Sequence, residues 1–584
     1  MRLEDYWGIG PKTSELLTSE LGVEAAIEAI ESGDVRTLTQ AGLSRGRATR
    51  ILRRVEGGPA MDVLATRDTR EVYKDLLEVI GRYAVTDHAA DRIRLLTPLA
   101  DRADIEERLT DVIEARDTWA RLTDSERETV TDAFEAYKRL DGEQSAVRAA
   151  LALREASLDT GVFAPLGALD ADALADGADA LATLDGDGTV ADGADERLDR
   201  LESQLGTVED LAADSDAVVE AVRGEIRTPD AFEEGVLDYV VQETDVDIDR
   251  VRASMPADAA DARDFVAETL RSLADDLRSA VDERRDAVAE AARETIANAR
   301  PEIDDAVEAV DDIALSLSLA RFAIDFNLTE PDLVAGSDVL AVENARSLFL
   351  EATGESVQPV DYAVGDHRIE YPTANAPPSG DRVTVLTGAN SGGKTTLLET
   401  LAQVQLLAQM GLPVPAETAA VGLVDAIVFH RRHASFNAGV LESTLKNVVP
   451  PLSAEGHTLM LVDEFEAITE PGSAADLLHG LVTLTVEREA LGVFVTHLAD
   501  DLEPLPESAR VDGIFAEGLT PELELEVDYQ PRFETVGRST PEFIVSRLVA
   551  NADDREERAG FDTLARAIGQ EAVQRTLSDA RWSR

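Results

Sequence analysis

The chain has 584 residues, 44% of them hydrophobic, no cysteine and a formal net charge of −61. That length exceeds what one hydrophobic core organises, so several domains are expected. The composition excludes disulfides, cysteine-based zinc sites and, with no run of eighteen apolar residues, a membrane-spanning helix. The opening MRLEDYWGIGPK has no apolar stretch of the signal-peptide kind, which points to the cytoplasm.

Residues 1–58 read as a unit of their own. Trp7-Gly8-Ile9-Gly10-Pro11-Lys12 precedes a helical pattern over Thr13–Leu21, and Ala41-Gly42-Leu43-Ser44-Arg45-Gly46-Arg47-Ala48 precedes another over Thr49–Val55. Each resembles the helix-hairpin-helix motif, hydrophobic–Gly–x–Gly; the first copy fits closely and the second loosely. The resemblance implies that hairpin glycines let backbone amides at the start of a helix meet DNA phosphates without reading bases. It puts Gly8, Gly10, Lys12, Arg45, Arg47 and Arg50 at the DNA. The unit carries eight basic and nine acidic residues, near neutrality in a chain at −61, and five of the eight fall between Arg45 and Arg54. A small helical dimerisation domain would show the same periodicity, but the basic cluster is the footprint expected of nucleic-acid binding.

Gly57-Gly58-Pro59 is a linker signal. From residue 62 to about 155 apolar residues recur at helical spacing, broken at Thr97-Pro98. Residues 158–200 are dominated by Gly, Asp and Ala; the run LDGDGTVADGADE fails the calcium-loop spacing at Thr189 and reads as a solvated loop or short β segment. Residues 208–310 return to long charged helices. There Leu270, Leu273, Leu277, Val281 and Val288 suggest an antiparallel coiled coil, with Arg278, Arg284, Arg285 and Arg293 read as a solvated face.

The strongest signal is RVTVLTGANSGGKTTLLET, Arg382–Thr400. An apolar strand pattern leads into GxxxxGK[ST] and then a helix, the context in which this motif cradles phosphates. Gly388, Ala389, Asn390, Ser391, Gly392, Gly393, Lys394, Thr395 and Thr396 form the candidate nucleotide loop. Glycines allow φ > 0 and close backbone approach; Lys394 reaches the β/γ-phosphates and the Thr395 hydroxyl faces Mg²⁺. Two buried-strand patterns end in polar groups: TLMLVDE, ending at Asp463 and Glu464, and GVFVTH, ending at His497. Asp463 is the second candidate at the metal, Glu464 the candidate to polarise the attacking water, and His497 the candidate γ-phosphate sensor.

The stretch from Leu386 to Ile427 resembles the ATPase of the MutS family, whose pattern reads TGxNxGGK[ST], a helix, then G-x-x-VPA-x-x-A-x-x-GLVD-x-I. Gly411, Val414, Pro415, Ala416, Ala419, Gly422, Leu423, Val424, Asp425 and Ile427 fill those places, while Ala389 departs from the usual proline. Upstream, VENARSLFL resembles the family's ARHP segment, with Ser347-Leu348 for His-Pro. The resemblance covers about residues 315–550. It implies an ATP- and Mg²⁺-dependent, DNA-binding homodimer, cytoplasmic and nucleoid-associated, in DNA repair or recombination. It also implies composite nucleotide sites completed by the second subunit through a serine-threonine pair before Phe-x-x-Glu. Counting back from Glu442 puts Asn437 and Ala438 where that pair would stand. A Phe-x-Glu mismatch wedge is not found, since Phe134-Glu135-Ala136 has the wrong order, nor is a terminal nuclease domain. The resemblance is therefore to the branch not dedicated to mismatch repair.

The expected fold class is multidomain α and α/β. It comprises a helix-hairpin-helix unit over 1–58, a helical lever over 62–330 with a coiled-coil clamp at about 208–310, a P-loop, ABC-like ATPase over 331–550, and a helical tail over 551–584. The alternative is an ABC-type ATPase coupled to transport or protein assembly; the helix-hairpin-helix unit, the GLVD segment and the absence of LSGGQ count against it. Only five of the 55 basic residues are lysines, and 116 acidic residues are spread along nearly the whole chain. The pattern resembles proteins kept soluble in molar salt by hydrated carboxylates. At about 1 M salt the Debye length is about 3 Å, so global repulsion would not prevent local phosphate contacts.

Overall fold

A computed structural model describes the chain except residues 1–2, 7, 141, 224–228, 337, 389–392, 433–437, 469–470, 521–524, 538–540, 553, 571–572 and 578–584. It is helical with α/β sheets and divides into two compact units, residues 1–124 with 312–584, and residues 125–311. The division does not follow the linear order: residues 62–124 and the end of the long helix from Asp312 belong with the sheets.

The first unit begins with helices Pro11–Glu20, Val23–Glu31, Val35–Gln40 and Arg45–Gly57. They close on Leu17, Ile30, Leu38, Ile51 and Leu52, and Leu95 of the helix Asp87–Leu95 joins that core. Two helices fall between the two expected from the sequence. Asp34 caps one of them, accepting from the amides of Arg36 at 2.9 Å and Thr37 at 3.0 Å. The turn into Arg45–Gly57 uses Gly42 at φ +96°.

Strands β1 (Asp332–Val334), β2 (Val339–Ala345), β3 (Val360–Gly365), β4 (Val383–Gly388), β5 (Thr418–Gly422), β6 (Ala426–His430), β7 (Thr458–Asp463), β8 (Leu491–Val495), β9 (Ala509–Leu519) and β10 (Leu525–Arg532) build two sheets. A four-stranded sheet runs β1-β5-β2-β3 and a six-stranded sheet β10-β9-β4-β8-β7-β6. Within the larger sheet all pairs are parallel except β9–β10. β4, β7 and β8 are buried along their whole length, as parallel strands covered on both faces must be. Helix Lys394–Gln409 packs into the same core as helix Arg67–Gly81, through Leu398 and Leu401 on one and Val72, Leu76 and Ile80 on the other.

The free edge of β6 is covered. Leu64 bridges Ile427 in parallel; the Thr66 hydroxyl donates to the Phe429 carbonyl at 2.6 Å, and that of Thr69 to the Ile427 carbonyl at 2.8 Å. The Asp68 carboxylate accepts from the Arg431 amide at 2.8 Å. Side chains thus satisfy the backbone groups that an edge strand otherwise exposes.

A buried ion pair braces β9 behind the glycine-rich turn. Arg510, 4% exposed, meets Asp512, fully buried, at 3.0 Å, and donates to the Ala363 carbonyl at 2.6 Å. The Asp512 carboxylate accepts from the Glu534 amide at 3.2 Å, while its carbonyl accepts from the Thr387 hydroxyl at 2.9 Å. The Gly537 amide donates to the same hydroxyl at 2.6 Å.

The second unit is helical. Leu270, Leu273, Leu277 and Val281 of the helix Ala262–Asp325 are buried against Leu198, Val208, Val236 and Val240. Arg278–Glu209 and Arg285–Glu202 pair at 2.5 and 2.6 Å, so position rises along one helix as it falls along the helix Glu196–Ala213, an antiparallel register. Arg284 pairs with the N-cap Asp195 at 2.6 Å and Arg293 donates to the Gly188 carbonyl at 2.9 Å. Arg278 and Arg285 thus pair across helices, Arg284 with a helix cap and Arg293 with a turn, while all four stay partly exposed as a solvated face does. Residues 158–200 are not a loop throughout. Ala171–Thr183 is a helix, seated where a Cβ on Gly177 would lie 3.2 Å from Ile303, and the β segment is a single Leu184–Val190 bridge. Phe134 is 2% exposed inside a helix.

Replacing Asp512 with alanine strands the Arg510 charge beside only the more distant Asp381. Denaturant unfolding should show a loss of about 3–5 kcal/mol, the scale for breaking one side of a buried pair.

Candidate functional site

The carboxyl ends of β4, β8 and β7 are level, because Leu386 pairs with Val495 and Val495 with Asp463. This edge is where open parallel sheets place their ligands. Gly388 ends β4 at φ +135°, and a Cβ there would stand 2.3 Å from the Ile514 carbonyl oxygen, so only glycine fits. Gly393, at φ +71°, is the N-cap of the helix Lys394–Gln409, and the amides of such a helix start suit an anion. Ala389, Asn390, Ser391 and Gly392 lie outside the described residues.

Lys394 is 4% exposed, and its Nζ donates to the Gly388 carbonyl at 2.9 Å. Burial lowers its pKa, opposed by the nearby Glu464 and Asp463 carboxylates. The Thr395 hydroxyl donates to Asp463 Oδ2 at 2.6 Å, whereas Asp463 Oδ1 is buried with no partner. Burial raises the Asp463 pKa, with the Thr395 bond opposing it. A hydroxyl beside one carboxylate with an unsatisfied oxygen suits Mg²⁺, which takes few protein ligands and completes its shell with phosphate and water. No cluster of three or more His, Cys, Asp or Glu that could hold a metal is found among the described residues.

Glu464 sits at φ +42°, its amide donating to the Val495 carbonyl at 3.0 Å. Its Oε1 lies 3.1 Å from His497 Nε2 and its Oε2 2.7 Å from Arg432. The His497 hydrogen bond, first, and the charges beside it hold the Glu464 carboxyl below its ordinary pKa. Glu466 fixes the His497 segment: its Oε1 accepts from the Thr496 hydroxyl at 2.9 Å and from the His497 amide at 2.7 Å. Lys394, Thr395, Asp463, Glu464 and His497 thus converge on one edge.

A family model described as MutS domain V matches residues 384–509. The DNA-binding protein MutS2 of Pyrococcus furiosus is 42% identical over 242 residues, covering 41% of each chain. Over residues 384–509 the chain carries the MutS domain V pattern. Endonuclease MutS2 of Thermomicrobium roseum is 29% identical over 188 residues, 31% of this chain and 23% of its own. The DNA mismatch repair protein MSH3 of Debaryomyces hansenii is 28% identical over 195 residues, 31% of this chain and 17% of its own. The matches span less than half the length of each of these relatives.

The MutS domain V match contains Gly388, Lys394, Thr395, Asp463, Glu464 and His497, and also Arg432 and Glu466, which sequence reasoning missed. Neither belongs to a motif with a fixed spacing. Also missed was Tyr529 on β10, beyond the matched region. Its ring lies 2.8 Å from where a Gly393 Cβ would be, and it is 42% exposed, an aromatic face open to solvent beside the loop. Asn437 lies outside the described residues, and the helix after it begins at Ala438.

The N-terminal candidates form a separate group. Gly8, at φ +81°, Gly10 and Lys12 are exposed around the start of the helix Pro11–Glu20, and Arg50 is exposed on Arg45–Gly57. Arg47 donates to the Thr13 hydroxyl at 2.6 Å, which brings the two helix starts together. Arg45 is shared: its guanidinium donates to both oxygens of the buried Asp91 at 2.8 Å.

Proposed function

We propose that this protein is a Mg²⁺-dependent ATPase of the MutS family that binds DNA without reading its sequence, as a cytoplasmic, nucleoid-associated homodimer serving DNA repair or recombination. The observation that carries the ATPase reading is the convergence of Lys394, Thr395, Asp463, Glu464 and His497 on the level ends of β4, β7 and β8. Residues 388–396 cradle the phosphates and Lys394 turns from the Gly388 carbonyl to them. Thr395 and Asp463 hold Mg²⁺, which when bound neutralises phosphate charge. Glu464 orients the attacking water, and His497 links that carboxylate to the γ-phosphate position. The Tyr529 ring offers a stacking face for the base. Asn437 of the second chain completes the site.

DNA contact is assigned to Gly8, Gly10, Lys12, Arg45, Arg47 and Arg50. The juxtaposed glycine turns and exposed cations support it, and so does the printed name of the Pyrococcus relative. Amide and guanidinium contacts to phosphate carry no sequence information, so branched or damaged structures would be distinguished by shape.

Lys394→Ala should abolish both nucleotide binding and turnover. Glu464→Gln should still bind ATP while losing about 10²-fold or more in kcat, the scale of general-base removal; normal turnover in that variant would show that another group is the base. Deleting residues 1–58 should weaken binding to duplex and junction DNA in high KCl while basal ATPase persists, and unchanged DNA affinity would remove this unit from the interface. Mixing Lys394→Ala with Asn437→Ala chains should recover part of the activity, since a mixed dimer has one site free of both defects. No recovery from chains shown to exchange would exclude the composite site.

A further inference from the structure

The two arginines that follow β6 have different duties. Arg431 pairs with Glu399 at 2.9 Å, on the helix that follows the glycine-rich loop, and its amide is held by Asp68. Arg432 reaches the other way, to Glu464 at 2.7 Å. The Glu464 backbone is fixed by its bond to Val495, and its side chain is 10% exposed, tied at one oxygen by His497 and at the other by Arg432. The side chain of Arg432 is 54% exposed. A carboxylate held at both oxygens is locked in one rotamer and neutralised by the guanidinium. To swing onto a water it must give up one partner, and the half-exposed arginine is the weaker tether.

We propose that Arg432 is a positioning residue that restrains Glu464, so that hydrolysis requires their ion pair to open. The inference rests on the ATPase reading above and adds a brake to it. The backbone leading to Arg432 is held, β6 at its edge by Thr66 and Thr69 and the preceding Arg431 amide by Asp68. Opening therefore comes from movement of the arginine side chain or of β6 with its clamp, and not from slack in the strand.

The test compares wild type, Arg432→Gln and Arg432→Lys as full chains without DNA. Arg432→Gln should raise kcat for ATP about two- to five-fold, the ratio corresponding to a partly exposed ion pair, with KM and the affinity for a fluorescent ATP analogue nearly unchanged. Arg432→Lys should stay near wild type. A second measurement needs no turnover. Melting temperatures of wild type, Arg432→Gln, Glu464→Gln and the double variant, all without nucleotide, form a cycle. The double variant should shift by less than the two single shifts together. An unchanged or reduced kcat in Arg432→Gln, or a purely additive cycle, overturns the brake. If wild type neither binds nor hydrolyses ATP, it is the ATPase reading that fails, and the cycle still decides whether the pair is coupled.

Discussion

Everything at the candidate site depends on the register of three parallel strands. A slip of one residue between β8 and β7 would carry Asp463 away from Thr395 and turn every side chain of the strand to the opposite face. The register is held because all three strands are buried on both sides, so each position has a volume to match. The Arg510–Asp512 pair secures the next strand out, β9, through bonds that end on Thr387, one residue before the glycine turn. Local chemistry is thus built on long-range packing, reaching Thr387 and Gly388 at the end of β4.

Much of this was legible in the sequence because the motif carries its own mechanism. A buried strand, a glycine-rich turn and a helix in that order have few alternative meanings, and Asp463 and His497 follow apolar runs short enough to be strands. The limits were equally physical. Helices Val23–Glu31 and Val35–Gln40 are short, and Ala171–Thr183 is mostly Ala and Asp, so they offer few large apolar residues from which to read a period. Arg432, Glu466 and Tyr529 reach the site from three different elements, and no spacing announces such a meeting. The two compact units were invisible for a related reason: a linear reading cannot see that residues 1–124 fold with residues 312–584.

The acidic composition takes on structural meaning in the second unit. Many of its arginines are engaged with carboxylates across helices or along one helix, as at Arg278 with both Glu209 and Asp275. Exposed pairs of this kind contribute little each but fix which helix faces which. Carboxylates in excess of the arginines leave the chain strongly negative, at a net charge of −61.

The clamp on β6 also sets a timetable for the growing chain. Thr66 and Phe429 are 363 positions apart, and elongation runs at roughly 5–20 residues per second, so about 20–70 s separate the synthesis of the two partners. Throughout that interval Val72, Leu76 and Ile80 lack the strands and helix that cover them in the finished fold. The first unit cannot complete itself in the usual order, amino end first. It must wait, with an apolar helix face uncovered, while residues 125–311 emerge. Assembly of this chain is then open to misassociation before its glycine-rich loop has been made.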